Sequence, residues 1–146
     1  MNGPVFVDTN VLIYERDSRE PTKQAAAAAW LRQLWEAKSG RLSYQVLAEF
    51  YSCVTLKLKP GMPAAEAQRH VRALVAWRPV VLEETLLGSG WALQWRYRLN
   101  FWDALILAAA KTARCRFLLS EDFQSGQEFE DTTVLSPFAA RPGDLP

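Results

Sequence analysis

Residues 4–14 read PVFVDTNVLIY, and this stretch decides the fold. Val5–Val7 is a continuous apolar run, typical of a strand that is buried on both faces. Residues 8–10 are then polar and can cap a helix that starts at Val11. A buried strand that leads directly into a capped helix is the first unit of an α/β fold.

The rest of the chain repeats this alternation of short apolar runs and amphipathic segments. We predict helices over residues 21–40, 45–58, 62–77, 84–97 and 101–112. Further strands are predicted at Arg41–Ser43, Pro79–Leu82, Arg116–Leu119 and Thr132–Leu135. The pattern indicates an α/β fold with a mainly parallel, five-stranded sheet that helices cover on both faces. The length suits one domain, residues 1–138, followed by a short C-terminal tail, residues 139–146.

Four acidic residues stand in apolar sequence, where an ionised carboxylate is costly to desolvate without a compensating cation or donor. They are Asp8, Glu49, Asp103 and Asp122. Each has a structural explanation when taken alone: a helix cap, a solvent-facing helix border, a first-turn acid beside a capping Asn100, and a turn. Together they occupy four separate elements, and sites in parallel sheets form beyond the carboxyl ends of the strands. We therefore expect one acidic pocket there.

Clustered carboxylates suit Mg²⁺ and Mn²⁺, which prefer hard oxygen ligands. A bound cation would offset the mutual repulsion that raises carboxylate pKa values, and it would activate water against a phosphate ester. No histidine base is needed, and the single His70 is predicted to lie on a helix surface. The chain carries 17 basic and 16 acidic residues. Setting the four acids aside leaves 12 acids against 17 bases, a mildly basic surface that suits a polyanion, although ordinary surface charge also explains it.

The remaining composition points to a cytoplasmic protein. Cys53 and Cys115 show no CxxC spacing and are predicted to be free thiols in a reducing compartment. No basic-then-apolar leader opens the sequence, and the longest apolar run, Ala104–Ala110, is too short to span a bilayer.

Three segments together resemble the PIN-domain family of metal-dependent ribonucleases, especially the VapC-like toxins of bacterial toxin–antitoxin pairs. They are residues 6–14, FVDTNVLIY; residues 102–106, WDALI; and residues 118–123, LLSEDF. The resemblance runs from Val5 to about Phe138. It implies a three-layer α/β/α sandwich, one or two Mg²⁺ ions with Mn²⁺ as a substitute, and hydrolysis of RNA phosphodiester bonds. It also implies a homodimer and an antitoxin protein that covers the site.

By this resemblance, the metal-binding and catalytic acids are Asp8, Glu49, Asp103 and Asp122. Thr9 or Asn10 matches a polar position beside the first acid, and Ser120 matches a hydroxyl residue two positions before the last. The adjacent acids Glu121 and Asp122 depart from the family pattern. We assign the role to Asp122 because its spacing from Ser120 fits, and we keep Glu121 as a supporting candidate. The residues that bind the substrate stay unassigned.

Two other functions remain open at this point. A non-catalytic PIN-like module would bind RNA or a protein without cutting. A receiver-type phosphoacceptor domain would need an acidic pair after the first strand and an acceptor Asp after a middle strand. Here the first strand is followed by one acid, and the predicted middle strand Pro79–Leu82 is followed by Glu83 and Glu84. Trp91 and Trp95, one helical turn apart, are predicted to pack in the core or at a dimer interface, with base stacking as the alternative.

Overall fold

The computed structural model describes residues 3–145. The strands within this range are β1 (Val5–Val7), β2 (Gly40–Arg41), β3 (Phe117–Leu119), β4 (Glu128–Phe129) and β5 (Thr132–Leu135). The helices are α1 (Thr9–Tyr14), α2 (Pro21–Ala37), α3 (Tyr44–Leu56), α4 (Ala64–Leu74), α5 (Glu84–Tyr97) and α6 (Phe101–Thr112). Two short 3₁₀ turns cover Val75–Trp77 and Pro142–Asp144.

The strands form one sheet in the order β2-β1-β3-β5-β4. β1 pairs in parallel with β2 and β3, and β3 pairs in parallel with β5. Only β4 runs antiparallel, against β5. Every residue of β1 and β3 is buried, as an apolar strand covered on both faces requires. The predicted mainly parallel five-stranded sheet is confirmed.

The strand order reverses direction at β1, and this reversal positions the site. The chain leaves β1 through α1 and α2 to reach β2 on one side, then returns to β3 on the other side. Right-handed crossovers in opposite directions place their helices on opposite faces of the sheet. α1 packs with α2 and α3, whereas α5 packs along α6. In such sheets a crevice opens beyond the carboxyl ends of the strands at the reversal, here between β1 and β3.

One predicted strand is wrong. Pro79–Leu82 is not a strand, and only Val80 forms an isolated parallel bridge, to Ser43. Pro79 has no N–H to donate to a ladder, and Arg78 before it has a left-handed backbone (φ 55°) that turns the chain. The fifth strand is β4, two residues long and too short to leave a periodic signal in the sequence.

Several predicted helix boundaries also shift. α1 begins at Thr9 instead of Val11, and α3 covers Tyr44–Leu56 instead of 45–58. α2 ends at Ala37 instead of residue 40, because Lys38 adopts a left-handed backbone (φ 55°) and Gly40 starts β2. The helix predicted over 62–77 begins at Ala64, after Pro63, and finishes in the tighter turn that ends at Trp77.

The core and the surface bear out some predictions and correct others. Cys53 and Cys115 are free thiols, as predicted. Trp91 and Trp95 are exposed at 51% and 78%, so their predicted packing in the core is wrong. Trp30 is buried, and its indole N–H donates to the carbonyl of Ala140, which attaches the C-terminal segment to α2. None of the helices within the described range has the length and apolarity needed to cross a membrane.

Candidate active site

Asp8 lies where β1 ends and α1 begins, at the centre of the crevice. Its backbone N–H donates to the carbonyl of Leu119 in β3 at 3.0 Å, so the sheet pairing fixes its position. Its carboxylate Oδ1 accepts from the N–H of Thr9 at 2.7 Å, and Oδ2 accepts from the Ser120 hydroxyl at 2.7 Å. Asp8 is only 3% exposed and also serves as the N-cap of α1. The capping role and a place in the pocket therefore coexist.

Burial raises the pKa of the Asp8 carboxyl from 3.8 to about 7, because desolvation disfavours its ionised form. The hydrogen bonds from Ser120 and Thr9 oppose this shift, whereas the negative charges of Asp122 and Glu49 add to it. A buried carboxyl with two acidic neighbours gains from any cation that enters the crevice.

Ser120, after β3, connects Asp8 to the last acidic segment. Its buried hydroxyl donates to Asp8 and accepts from the N–H of Asp122 at 3.0 Å. The amide of Asn10 donates to Asp122 Oδ2 at 3.2 Å and to Ser120 Oγ at 3.3 Å. The side chain of Asn10 also accepts from the N–H of Glu121 at 3.2 Å. Thr9 and Asn10, the polar residues beside Asp8, and the Ser120 hydroxyl thus belong to one hydrogen-bonding network with Asp8 and Asp122.

Glu49 reaches the same crevice from α3. Its Oε2 accepts from the Thr9 hydroxyl at 3.4 Å, and its Oε1 accepts from the Gln45 amide at 2.8 Å. Gln45 precedes Glu49 by four residues, so both lie on one face of the helix. The same Gln45 amide lies 3.4 Å from the carbonyl of Trp102, and it links α3 to the start of α6.

Asp103 enters from the first turn of α6. Asn100 caps this helix: its side-chain oxygen accepts from the N–H of Asp103 at 2.9 Å, and its amide donates to Asp103 Oδ2 at 2.7 Å. Partial burial raises the pKa of Asp103; the Asn100 hydrogen bond opposes the rise, and the charges of Asp122 and Glu49 add to it. Asp8 and Asp103 are each affected by the charges of Glu49 and Asp122, so the four acids share one electrostatic environment.

The expected burial of the four acids is only partly right. Asp8 is buried and Asp103 is partly buried, but Glu49 and Asp122 are exposed. The apolar neighbours of Glu49 and Asp122 in the sequence face the core, while the carboxylates face the crevice. The pocket is consequently open to solvent on the side of these two residues.

The adjacent acids Glu121 and Asp122 point to different partners. Glu121 forms an ion pair with Lys23 of α2 at 2.7 Å. Burial raises the pKa of Glu121, but the hydrogen bonds with Lys23 and Tyr14 outweigh it, and the net pKa is lowered. Asp122 instead bonds to Asn10 and interacts with Asp8 and Asp103. Glu121 already has its cation, whereas Asp122 faces the other acids.

The residues in the crevice fit a hydrated divalent cation. In residues 3–145, no three histidine, cysteine, aspartate or glutamate side chains lie close enough to hold one ion by direct contacts. Mg²⁺ does not require such a cage, because it retains several waters and is bound through one or two carboxylates and substrate oxygens. The side-chain amide oxygen of Gln45, Oε1, is buried beside Glu49 and has no hydrogen-bond partner among the described residues, so it would accept from such a water.

Gln45 is a residue that the sequence analysis did not single out as part of the site. Its only signal was its position one helical turn before Glu49. A lone glutamine at that spacing is common on any helix, so only the fold reveals that it bridges Glu49 and the chain next to Asp103.

Comparisons with known proteins agree with this architecture. A family model described as the PIN domain matches residues 5–127. The fold is similar to a solved toxin–antitoxin complex from Klebsiella pneumoniae, with a TM-score of 0.62 and 23% identity over 91% of this chain and 97% of that one. It is also similar to VapBC2 from Rickettsia felis bound to a DNA fragment from its promoter, with a TM-score of 0.57 and 15% identity over 89% and 96% of the two chains. No curated protein matches the sequence significantly.

Proposed function

The chain belongs to the PIN domain family, and from this premise we propose that it is a metal-dependent endoribonuclease, the toxin of a type II toxin–antitoxin pair. One observation carries the proposal. Four acids from four separate elements share one crevice at the reversal point of the sheet, and no basic side chain of the described residues forms an ion pair with any of them. An acidic crevice without a protein cation suits a divalent ion and a phosphate ester.

We assign distinct roles to the four acids. Asp8 and Asp103 would contribute the principal carboxylates for Mg²⁺ or Mn²⁺, since their raised pKa values give them the most to gain from a cation. Glu49 and Asp122, which are exposed, would contact the hydration shell of the ion or a second ion. When bound, the metal supplies a water of lowered pKa and stabilises charge on the scissile phosphate.

The supporting residues hold these carboxylates in place. Ser120 and the N–H of Thr9 orient the two oxygens of Asp8. Asn10 holds Asp122, Gln45 holds Glu49, and Asn100 holds Asp103. Each acid therefore has a neutral donor that fixes its position without neutralising its charge. Glu121 is paired with Lys23, so it would belong to the surface around the site and would not bind the metal.

Cleavage of single-stranded RNA by the purified protein tests the proposal. We expect cleavage with Mg²⁺ or Mn²⁺ and none with excess EDTA. Asp103→Asn should remove cleavage and leave the far-ultraviolet circular dichroism unchanged. Asp131→Asn is the matched control, because Asp131 is exposed and pairs with Lys111 outside the crevice. Undiminished cleavage in EDTA, or by Asp103→Asn, would contradict the metal mechanism.

The proposed partners are an antitoxin protein and a second copy of the chain, within the cytoplasm. A toxin–antitoxin complex and a VapBC complex are both similar in fold, which supports an antitoxin. Trp91 and Trp95 expose large rings on one face of α5, and this supports a homodimer contact. Analytical ultracentrifugation of the wild type and of Trp91→Ser/Trp95→Ser should show a dimer and a monomer, respectively; a monomeric wild type would exclude the homodimer.

A non-catalytic PIN-like module is the second candidate. The observation in its favour is that no three acids of the described chain are in direct ligating range. Calorimetric titration with Mn²⁺ separates the two functions. Binding that releases protons and tightens as the pH rises through about 7 follows from the raised pKa of Asp8 and supports the nuclease. No heat of binding at millimolar Mn²⁺ would favour the inert module.

A further inference from the structure

A second cleft opens at the amino end of the sheet, the end opposite to the acids. It encloses about 260 Å³ between the end of α2, the start of β2 and the Val75–Trp77 turn. We call it the basal cleft; its lining residues are Trp35, Lys38, Arg41, Ala76, Trp77 and Arg78. β1 and β2 pair in parallel with Val5 opposite Gly40. Lys38 precedes Gly40 by two residues, so along the strand direction it is about five residues, on the order of 15 Å, from Asp8 toward the amino end of the sheet.

The basal cleft is positively charged. It contains three cationic side chains and no acidic one, and within residues 3–145 none of the three forms an ion pair. Two hydrogen bonds to the backbone fix the guanidinium of Arg41: its Nη1 donates to the carbonyls of Gly40 at 2.7 Å and of Lys38 at 3.3 Å. Like charges gathered in one cleft favour an anion with several oxygens, such as a phosphodiester.

Two of these cations stand on strained backbone. Lys38 and Arg78 each have φ of 55°, a left-handed conformation that glycine adopts at less cost. Both follow the C-terminal end of a helix or turn, where a positive charge is favourable but a glycine would make the turn more easily. The left-handed backbone recurs at Arg98, Arg114 and Glu130, so it does not by itself indicate a ligand; it makes glycine the least disruptive substitution at Lys38 and Arg78.

One wall of the cleft is aromatic and rigid. The rings of Trp35 and Trp77 lie 6.0 Å apart at 37°, and Trp35 is 49% exposed. Trp77 is buried directly against Gly40, where an added Cβ would come within 2.5 Å of the ring. Trp35 thus offers an open, supported face for a flat base beside the cations. A basic groove with an aromatic surface is the usual arrangement for single-stranded nucleic acid.

We propose that the basal cleft binds a nucleotide unit of single-stranded RNA at a distance from the scissile bond, with phosphate on Lys38, Arg41 and Arg78 and a base on Trp35. An adjoining groove shares Trp35 and Trp77 with the cleft and reaches Leu12 of α1, the helix that Asp8 caps. Arg16, just beyond α1, also lines it, together with Glu15 and Glu36. A strand that leaves the cleft along this groove would run toward α1. This inference rests on the proposed ribonuclease function and adds a second contact for its substrate.

The test is binding of fluorescein-labelled single-stranded RNA, followed by anisotropy in EDTA so that the strand stays intact. Lys38→Gly/Arg78→Gly should weaken binding about tenfold. It should also reduce the slope of log K against log salt concentration by roughly 0.7 per cation removed. The melting temperature should stay equal or rise, because both changes relieve strain; misfolding then cannot cause the loss. Trp35→Ala should also weaken binding about tenfold through lost stacking.

The matched control is Arg114→Gly, which removes the same charge at the same backbone conformation (φ 57°) in a different cleft that contains Glu130 and Asp131. Equal binding by the double variant and the wild type, or an equal loss in Arg114→Gly, would overturn the proposal. Competition by adenosine monophosphate as strong as by RNA would assign the cleft to free nucleotides instead of a strand and so also overturn it.

Cleavage assays separate this inference from the proposed function. The double variant should cut short oligoribonucleotides, which cannot span both sites, at the wild-type rate, and it should show a raised KM only for longer ones. If the wild type cuts RNA but the KM of the double variant does not depend on oligonucleotide length, the proposed role of the basal cleft is rejected and the proposed ribonuclease function is not. A wild type that cuts no RNA at all would reject the proposed function.

Discussion

The two ends of one short sheet carry opposite charges. Beyond the carboxyl ends of the strands, four acids share a crevice with neutral donors. Beyond the amino ends, three cations share the basal cleft with two tryptophans. β1 has only three residues, so these regions are close neighbours on a small domain.

Helix polarity explains where each sign lies. In a parallel α/β fold, helix N-termini meet the carboxyl ends of the strands and helix C-termini meet the amino ends. Asp8 and Asp103 stand at the starts of α1 and α6, and Lys38 stands at the end of α2. Helix polarity does not explain why neither group has an ion-pair partner among residues 3–145. These groups of like charge are the basis for the two ligands that we propose, a cation at one end and a polyanion at the other.

Asp8→Asn tests the acidic end most severely. The change should reduce RNA cleavage to background, because the crevice loses its central carboxylate. It should also stabilise the metal-free protein at pH 8 by a few kcal/mol, since a pKa raised from 3.8 to about 7 disfavours the charged folded state. Asparagine remains a good N-cap, and its Oδ1 still accepts from the N–H of Thr9. Its Nδ2 cannot accept from the Ser120 hydroxyl, and the loss of that bond offsets part of the gain.

Urea denaturation in EDTA at several pH values checks the sign of this effect. The folded pKa of Asp8 exceeds the unfolded one, so its stabilising contribution is complete below about pH 4 and is lost as the pH rises through 7. The wild type should therefore lose stability between pH 5 and pH 8 more steeply than Asp8→Asn. Parallel pH profiles for the two proteins would contradict the assigned burial cost.

Asp122→Asn and Glu121→Gln compare the adjacent acids. We expect Asp122→Asn to lower cleavage about 10- to 100-fold, the range found when a residue that supports a metal site is changed. Glu121→Gln should stay within about twofold, because it removes only a partly exposed ion pair with Lys23. Steady-state kinetics on one RNA substrate would decide, and the reverse order of effects would move the site to Glu121.

Gly40→Ala tests the rigid wall at the basic end and should have the smallest effect on cleavage. A Cβ at this position would lie 2.5 Å from the Trp77 ring, so the ring or the strand must shift, at a cost of about 1–3 kcal/mol. Gly88→Ala in α5 is the control, since nothing lies within 4 Å and alanine favours the helix. Thermal unfolding should show a lower melting temperature for Gly40→Ala and a higher one for Gly88→Ala.

The sequence predicted much of the fold because buried parallel strands leave continuous apolar runs. β1, β3 and β5 were located this way, and α6 was bounded at both ends by its Asn100 cap and its apolar length. β4 and the turn at Pro79–Leu82 were missed, since two-residue pairings and backbone turns depend on neighbours that the local pattern does not contain. The four acids were recognisable because they stand in apolar sequence. Which of them are exposed could not be predicted, because the burial of a side chain depends on the other elements that cover it.

By itself the sequence determined most strands of the sheet, its helices and the identity of four acids that stand in apolar sequence. Only the tertiary structure decided which acid is buried, that Gln45 and Asn10 hold two of the others, and that Glu121 belongs to Lys23. It alone gathered Lys38, Arg41 and Arg78 around Trp35. The physical reason is that apolar periodicity is local and is written along the chain, whereas charge, desolvation and hydrogen bonding act between segments that only folding brings together.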